Sequence, residues 1–256
     1  MKNFKYATLV TGGSKRIGKA ISRKLASENK NVIIHYNKSK KEAVNLCKEL
    51  SKNNEIISIS IHADLNEPKE IIKIFNFLKK KSIIVNCLIN NASSFNYDNL
   101  SQVTNSSWNK HINPNLYAPI ILSKEFAKKL PKGITGNIIN IIDQRVLNLT
   151  PHFLSYTVSK SGLWTVTKTL ALELAPKIRV NAIGPGPTIK SKFQTEKEFK
   201  FQCKSLPLQY GAKPEEVAET VLFLLKVKSI TGQLIALDGG QHLGWGQVGK
   251  NKKVLD

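Results

Sequence analysis

A doubly wound α/β fold is predicted, with a mostly parallel seven-stranded sheet and helices on both of its faces. Three observations predict it. Short runs rich in Ile and Val alternate with helix-length segments from end to end. Those runs are short, apolar and rich in Ile and Val, as expected of strands covered on both faces. A glycine-rich turn joins the first run to the first helical segment. Regular strand–helix alternation favours parallel pairing through right-handed crossovers.

The strands are expected at Ala7–Val10, Val32–Tyr36, Ile56–Ile61, Cys87–Asn90, Asn137–Ile142, Arg179–Ile183 and Leu234–Leu237. Between them helices are expected near Ile17–Glu28, Lys40–Ser51, Pro68–Lys80, Leu116–Leu130, Ser155–Leu174 and Pro214–Leu225. The longest irregular stretches, Asn91–Ser107 and Gly184–Thr195, both follow strands. Open α/β sheets bind ligands outside the carboxyl ends of their strands, and loops of this length are more often functional than decorative. With 256 residues and a hydrophobic fraction of 41%, the chain suits one domain over 1–256, its C-terminal tail from about 246 onward frayed.

The formal charge of +21 raises nucleic acid as a partner. Only four of the 39 basic residues are arginine, however, and the lysines are scattered. Arginine dominates bidentate phosphate and base recognition, so a solvated lysine surface is the expectation, with no nucleic-acid partner. Cys47, Cys87 and Cys203 are far apart and lack CxxC spacing, which supports neither a disulfide framework nor a metal site. No apolar run reaches the length of a membrane span and no signal peptide precedes the first strand, so a cytoplasmic enzyme is expected.

Thr11-Gly12-Gly13-Ser14-Lys15-Arg16-Ile17-Gly18 stands at the first strand-to-helix junction. Glycines there let the backbone approach a pyrophosphate, and the helix N-terminus supplies N–H donors. NAD sites usually carry an acid at the end of the second strand. Here that strand ends in His35-Tyr36-Asn37-Lys38-Ser39. With no acid present and Lys15, Arg16 and Lys38 available, NADP(H) is expected over NAD(H), with Arg16 and Lys38 on the 2′-phosphate. Further along, Tyr156 and Lys160 lie four apart on a helix face. An ammonium beside a phenol favours the phenolate, and such a tyrosine can donate a proton as hydride arrives.

Together the glycine turn, Asn90-Asn91-Ala92, Tyr156/Lys160 and Pro185-Gly186 after Arg179-Val180-Asn181 resemble the short-chain dehydrogenase/reductase family, over roughly residues 6–243. The resemblance implies a Rossmann-type fold, a tetramer, and a tyrosine acting as general acid/base. The lysine would hold the nicotinamide ribose, and Asn115 matches the asparagine supporting a proton relay. Asn91, Ala92, Ser93, Asp64, Leu65, Pro185 and Gly186 would complete the cofactor contacts.

Two departures narrow the reading. Arg16 replaces the usual middle glycine of the turn, and Asp143 replaces the usual serine thirteen residues before the tyrosine. A serine donates to a substrate carbonyl; a carboxylate accepts instead, and opposes phenolate formation. Both departures resemble the pteridine reductase and dihydromonapterin reductase branch, as does Asn91-Ala92-Ser93-Ser94-Phe95. That branch implies hydride transfer from NADPH to a C=N bond of a dihydropterin, with Phe95 stacked on the pterin and Arg16, Ser93, Asp143 and Tyr156 around it. The alternatives are a reductase of carbonyl substrates such as 3-oxoacyl thioesters and a non-catalytic NADP-binding sensor, against which the intact Tyr156, Lys160 and Asn115 argue.

Overall fold

The computed structural model describes residues 5–53 and 55–244, so the expected frayed tail lies outside the described residues. In chain order the elements are β1 (Lys5–Val10), α1 (Arg16–Ser27), β2 (Asn31–Tyr36), α2 (Lys40–Asn53), β3 (Ser58–His62), α3 (Pro68–Lys80) and β4 (Ile83–Asn90). There follow α4 (Asn105–Ile112), a π-helical turn (Asn113–Tyr117), α5 (Ala118–Lys129), β5 (Gly136–Ile141) and α6 (Leu154–Leu174). The chain continues with β6 (Ile178–Pro185), α7 (Glu196–Lys204), α8 (Pro214–Lys226) and β7 (Leu234–Leu237).

The seven strands form one sheet in the order β3-β2-β1-β4-β5-β6-β7, and every neighbouring pair is parallel. Successive strand side chains point to opposite faces. Leu9 and Val10, Ile33 and Ile34, Leu88 and Ile89, Ile138 and Ile139 each divide between two buried clusters in this way. One cluster packs the sheet against α1, α2 and α8 through Leu25, Leu46 and Val221; the other packs it against α3, α5 and α6 through Ile74, Phe126 and Ala171. Burial on both faces is the reason the strands are rich in Ile and Val.

The departures from expectation are local. β4 begins at Ile83, four residues before the expected start, because Ile83 and Val85 belong to the second cluster. The stretch expected to be irregular through Ser107 contains the start of α4, capped by Thr104, whose side chain accepts from the Ser107 N–H. α7 was also unexpected; Thr195 and Glu198 cap it reciprocally. The expected helix over Leu116–Leu130 is divided, because its beginning forms part of the π-helical turn.

Candidate active site

The strand order reverses between β1 and β4, and a cleft of about 840 Å³ opens at the carboxyl ends of β1, β2, β4, β5 and β6. This is where a doubly wound sheet places its ligands. The turn after β1 forms one wall. Gly12 adopts a left-handed conformation (φ +58°), and a Cβ on Gly18 would stand 2.3 Å from the Gly12 carbonyl oxygen, so turn and helix approach as only glycine allows. Thr11 Oγ1 accepts from the amides of Asn91 (2.9 Å) and Ala92 (3.0 Å), locking this turn to the loop after β4. The N-terminus of α1 has no side-chain cap and no acid in its first turn. Its amides therefore remain available to an anion.

His35 lies beneath the turn. Its Nδ1 accepts from the Gly12 N–H (3.2 Å) while Nε2 donates to the Ala63 carbonyl (3.0 Å), which fixes a neutral tautomer. Burial lowers its pKa to about 4. At the end of β2, Lys38 and Ser39 line the cleft; Ser39 Oγ bonds Ser14 Oγ (2.8 Å), and Lys15 pairs with Glu42 (2.7 Å). Lys38 enters no ion pair among the described residues. Asp64 and Leu65 line the cleft beyond β3, with the Asp64 carboxylate turned onto Asn66.

Across the cleft, α6 carries Tyr156 and Lys160, both buried. The Tyr156 hydroxyl donates to Asp143 Oδ2 (2.8 Å), and Asp143 Oδ1 accepts from the Arg145 amide (2.9 Å). Burial first, and then the Asp143 carboxylate, hold the phenol well above its ordinary pKa. Lys160 Nζ donates to the Ile141 carbonyl (2.9 Å) and lies 5.8 Å from the Tyr156 ring centre. Burial lowers its ammonium to about 8 against the pull of Asp143. The expectation that Lys160 would favour the phenolate is thus corrected: Asp143 is the group on the hydroxyl, and Tyr156 is kept as an O–H donor.

Phe95 lines the cleft from the loop after β4. It stacks on Phe153 (4.5 Å, 11°) and meets Tyr156 edge-on (4.8 Å). Phe153 holds that position in a left-handed conformation (φ 57°) at the start of α6. The nearby Ser93 hydroxyl donates to Asn115 Oδ1 (3.2 Å). Pro185 and Gly186 line the floor, followed by Thr188 and Ile189.

The structure brings most of the expected residues to this cleft, leaves four outside it, and turns a fifth, Arg16, in another direction although it lines the cleft. Thr11 and Gly13 are buried within the turn, where Gly13 N–H bonds the His35 carbonyl, and do not line the cleft. Tyr36 packs into the core beside His62 (5.5 Å). Asn115 is fully buried in the π-helical turn. Its amide is used up by Ser94 N–H (2.7 Å), Ser94 carbonyl (2.9 Å) and Ser159 Oγ (3.0 Å), so its side chain ties a cleft loop to α6 instead of facing the cleft.

The fifth correction is Arg16, expected at a 2′-phosphate. Its guanidinium reaches the other way, to the carbonyls of Ile189 (3.0 Å) and Lys190 (3.1 Å) in the loop after β6. Its backbone is left-handed (φ 50°), a conformation that costs a non-glycine residue about 1–2 kcal/mol. The two hydrogen bonds across the cleft mouth offset that strain. Arg145 and Gln144 line the cleft and were not anticipated from the sequence.

A family profile described as enoyl-(acyl carrier protein) reductase matches residues 12–242. A 3-oxoacyl-[acyl-carrier-protein] reductase, FabG, from Buchnera aphidicola subsp. Baizongia pistaciae is 31% identical over 95% of this chain and 100% of its own. A short-chain type dehydrogenase/reductase from Picea abies is 29% identical over 91% of each chain. Among solved structures, FolM alternative dihydrofolate reductase 1 from Brucella suis in complex with NADP is 41% identical. It covers 96% of this chain and 98% of its own, with a TM-score of 0.91. The chain belongs to the short-chain dehydrogenase/reductase family and is similar, within it, to the pteridine-reductase-like branch.

Proposed function

We propose that the chain is an NADPH-dependent reductase acting on a C=N bond of a dihydropterin-like heterocycle. The observation that carries this reading is the 2.8 Å hydrogen bond from the Tyr156 hydroxyl to Asp143, where the family usually has a serine. An acceptor in that place suits a ring bearing N–H groups, and a phenol held in its protonated form suits the reductive direction. Phe95, fixed by Phe153, offers a flat aromatic face to such a ring. The likeness to the NADP-bound dihydrofolate reductase structure supports the same reading.

The residues fit NADP(H). The uncapped start of α1 would receive the pyrophosphate, and Lys38 with Ser39 would meet the 2′-phosphate in the absence of an acid at the end of β2. When bound, this cofactor supplies the hydride. Lys160, buried and cationic below about pH 8, would hold ribose hydroxyls. Tyr156 would release its proton toward the ring nitrogen while Asp143 accepts a neighbouring N–H or a relay water. Arg16, by gripping the Ile189–Lys190 backbone, would keep that loop over the cleft and limit access of water.

The domain spans 1–256 in this reading, and the enzyme is cytoplasmic; three free cysteines accord with that compartment. Among the described residues no helix is long and apolar enough to cross a membrane. A homotetramer is supported by the apolar side chains that α6 leaves exposed, Val158 and Leu172, the latter 84% exposed. The test of function is NADPH oxidation with dihydrobiopterin, dihydromonapterin, dihydrofolate and acetoacetyl thioesters. Turnover of the dihydropterins is expected. Turnover of the thioesters alone would favour the carbonyl reductase reading, which the FabG relative supports.

A further inference from the structure

Arg145 carries a buried positive charge that forms no ion pair among the described residues. It follows Asp143 by two residues, in a one-turn helix over Gln144–Val146, and is 4% exposed. A guanidinium has five N–H donors and does not lose its charge. Among the described residues its side chain makes one hydrogen bond, from one terminal nitrogen to Thr150 Oγ1 (2.6 Å), and Nε is buried with no partner. None of the ion pairs among the described residues includes it. The guanidinium lies 5.1 Å from the Phe153 ring centre, on the residue that holds Phe95, and Arg145 lines the same cleft as Asp143, Tyr156 and Phe95.

Burying a cation with most of its donors unused is costly unless a partner completes it. The missing partner is an acceptor, and an oxygen makes the stronger charge-assisted bond to a guanidinium. The chemistry of the neighbouring position points the same way. Asp143 accepts but cannot donate, so the wall that holds it has lost the donor that a serine would offer a substrate oxygen. Arg145 restores a donor to that wall. Its charge also acts on Tyr156, opposing the upward push of burial and of Asp143 on the phenol.

We propose that Arg145 is a substrate-binding residue that donates to the ring oxygen of the substrate, beside the nitrogen that Tyr156 protonates. The assignment rests on the dihydropterin reading. In a 4-oxo dihydropterin the oxygen and the nitrogen of the reduced C=N bond lie on the same edge of the bicycle. A donor next to the Tyr156–Asp143 pair meets the oxygen while the phenol meets the nitrogen. The ring is thereby held in one orientation, and Arg145 selects 4-oxo rings over 4-amino rings, which present a donor where the guanidinium needs an acceptor.

The test is calorimetric binding of 2-amino-4-oxopteridine and of 2,4-diaminopteridine to the NADP-saturated protein, wild type against Arg145→Met. Loss of one charge-assisted bond should weaken the 4-oxo ligand roughly 10- to 100-fold. The diamino ligand and NADP itself should bind as before. Arg145→Lys, which keeps a cation and a donor, should retain part of the oxo preference and serves if the methionine variant does not fold. Equal weakening of both pteridines would mean that Arg145 only supports Phe153 and Thr150, and would overturn the proposal, as would no weakening of either. Failure of the wild type to bind the 4-oxo ring would instead overturn the dihydropterin reading and the ring-oxygen assignment with it.

Discussion

Replacing His35 with glutamine should flatten the loss of stability that the protein suffers between pH 7 and pH 5. His35 is 2% exposed, and both ring nitrogens are committed in the neutral tautomer, to Gly12 N–H and to the Ala63 carbonyl. Burial lowers its pKa from 6.5 to about 4. Above pH 6.5 neither the folded nor the unfolded chain binds the extra proton, and the contribution of the site is complete. As the pH falls through 6.5 the unfolded chain takes up a proton that the folded chain refuses until about pH 4, so stability declines across that window. Between pH 7 and pH 5 the decline amounts to about 2 kcal/mol, from 1.36 kcal/mol per pKa unit. Glutamine offers an amide N–H and an amide oxygen to the same two partners but does not titrate. Urea unfolding of both proteins at each pH gives the comparison, and the wild type should lose about 2 kcal/mol more than His35→Gln. Equal losses would refute the claim that a neutral, buried His35 holds the turn.

Three substitutions probe the cleft directly. Tyr156→Phe should lower turnover roughly 10²–10⁴-fold while NADPH binding, followed by fluorescence, stays nearly unchanged. Asp143→Ser, which replaces the carboxylate on the Tyr156 hydroxyl with a neutral group that can also donate, should depress dihydropterin reduction in steady-state assays and open weak carbonyl activity. Lys38→Ala should weaken NADPH about tenfold and leave NADH unaffected, by titration calorimetry, because only NADPH carries the 2′-phosphate.

The sheet was legible because strands buried on both faces leave short runs rich in Ile and Val, as at Val32–Tyr36 and Asn137–Ile141. α4 and α7 were not, since both are short and mostly polar. Their one sequence signal is the cap, Thr104 with Ser107 and Thr195 with Glu198. In the site, the order of the motifs located Gly12, Gly18, Asp143, Tyr156 and Lys160 in one cleft. Direction was another matter. The reach of Arg16 depends on where the loop after β6 lies, 173 residues away, and the saturation of Asn115 depends on Ser94 and Ser159. Arg145 was not singled out, because a buried Nε with no hydrogen-bond partner among the described residues is recognised only once its surroundings are known.

Hydride transfer to a ring C=N bond is tested most directly with NADPH deuterated at the transferring position. Incubation with a 7,8-dihydropterin, followed by mass spectrometry and proton NMR of the product, should find one deuterium on the ring carbon of the reduced bond. The label should fall away in step with turnover in Tyr156→Phe. A dihydropterin recovered without deuterium, beside a 3-hydroxyacyl thioester formed from its 3-oxo precursor and labelled at the hydroxyl carbon, would contradict the account.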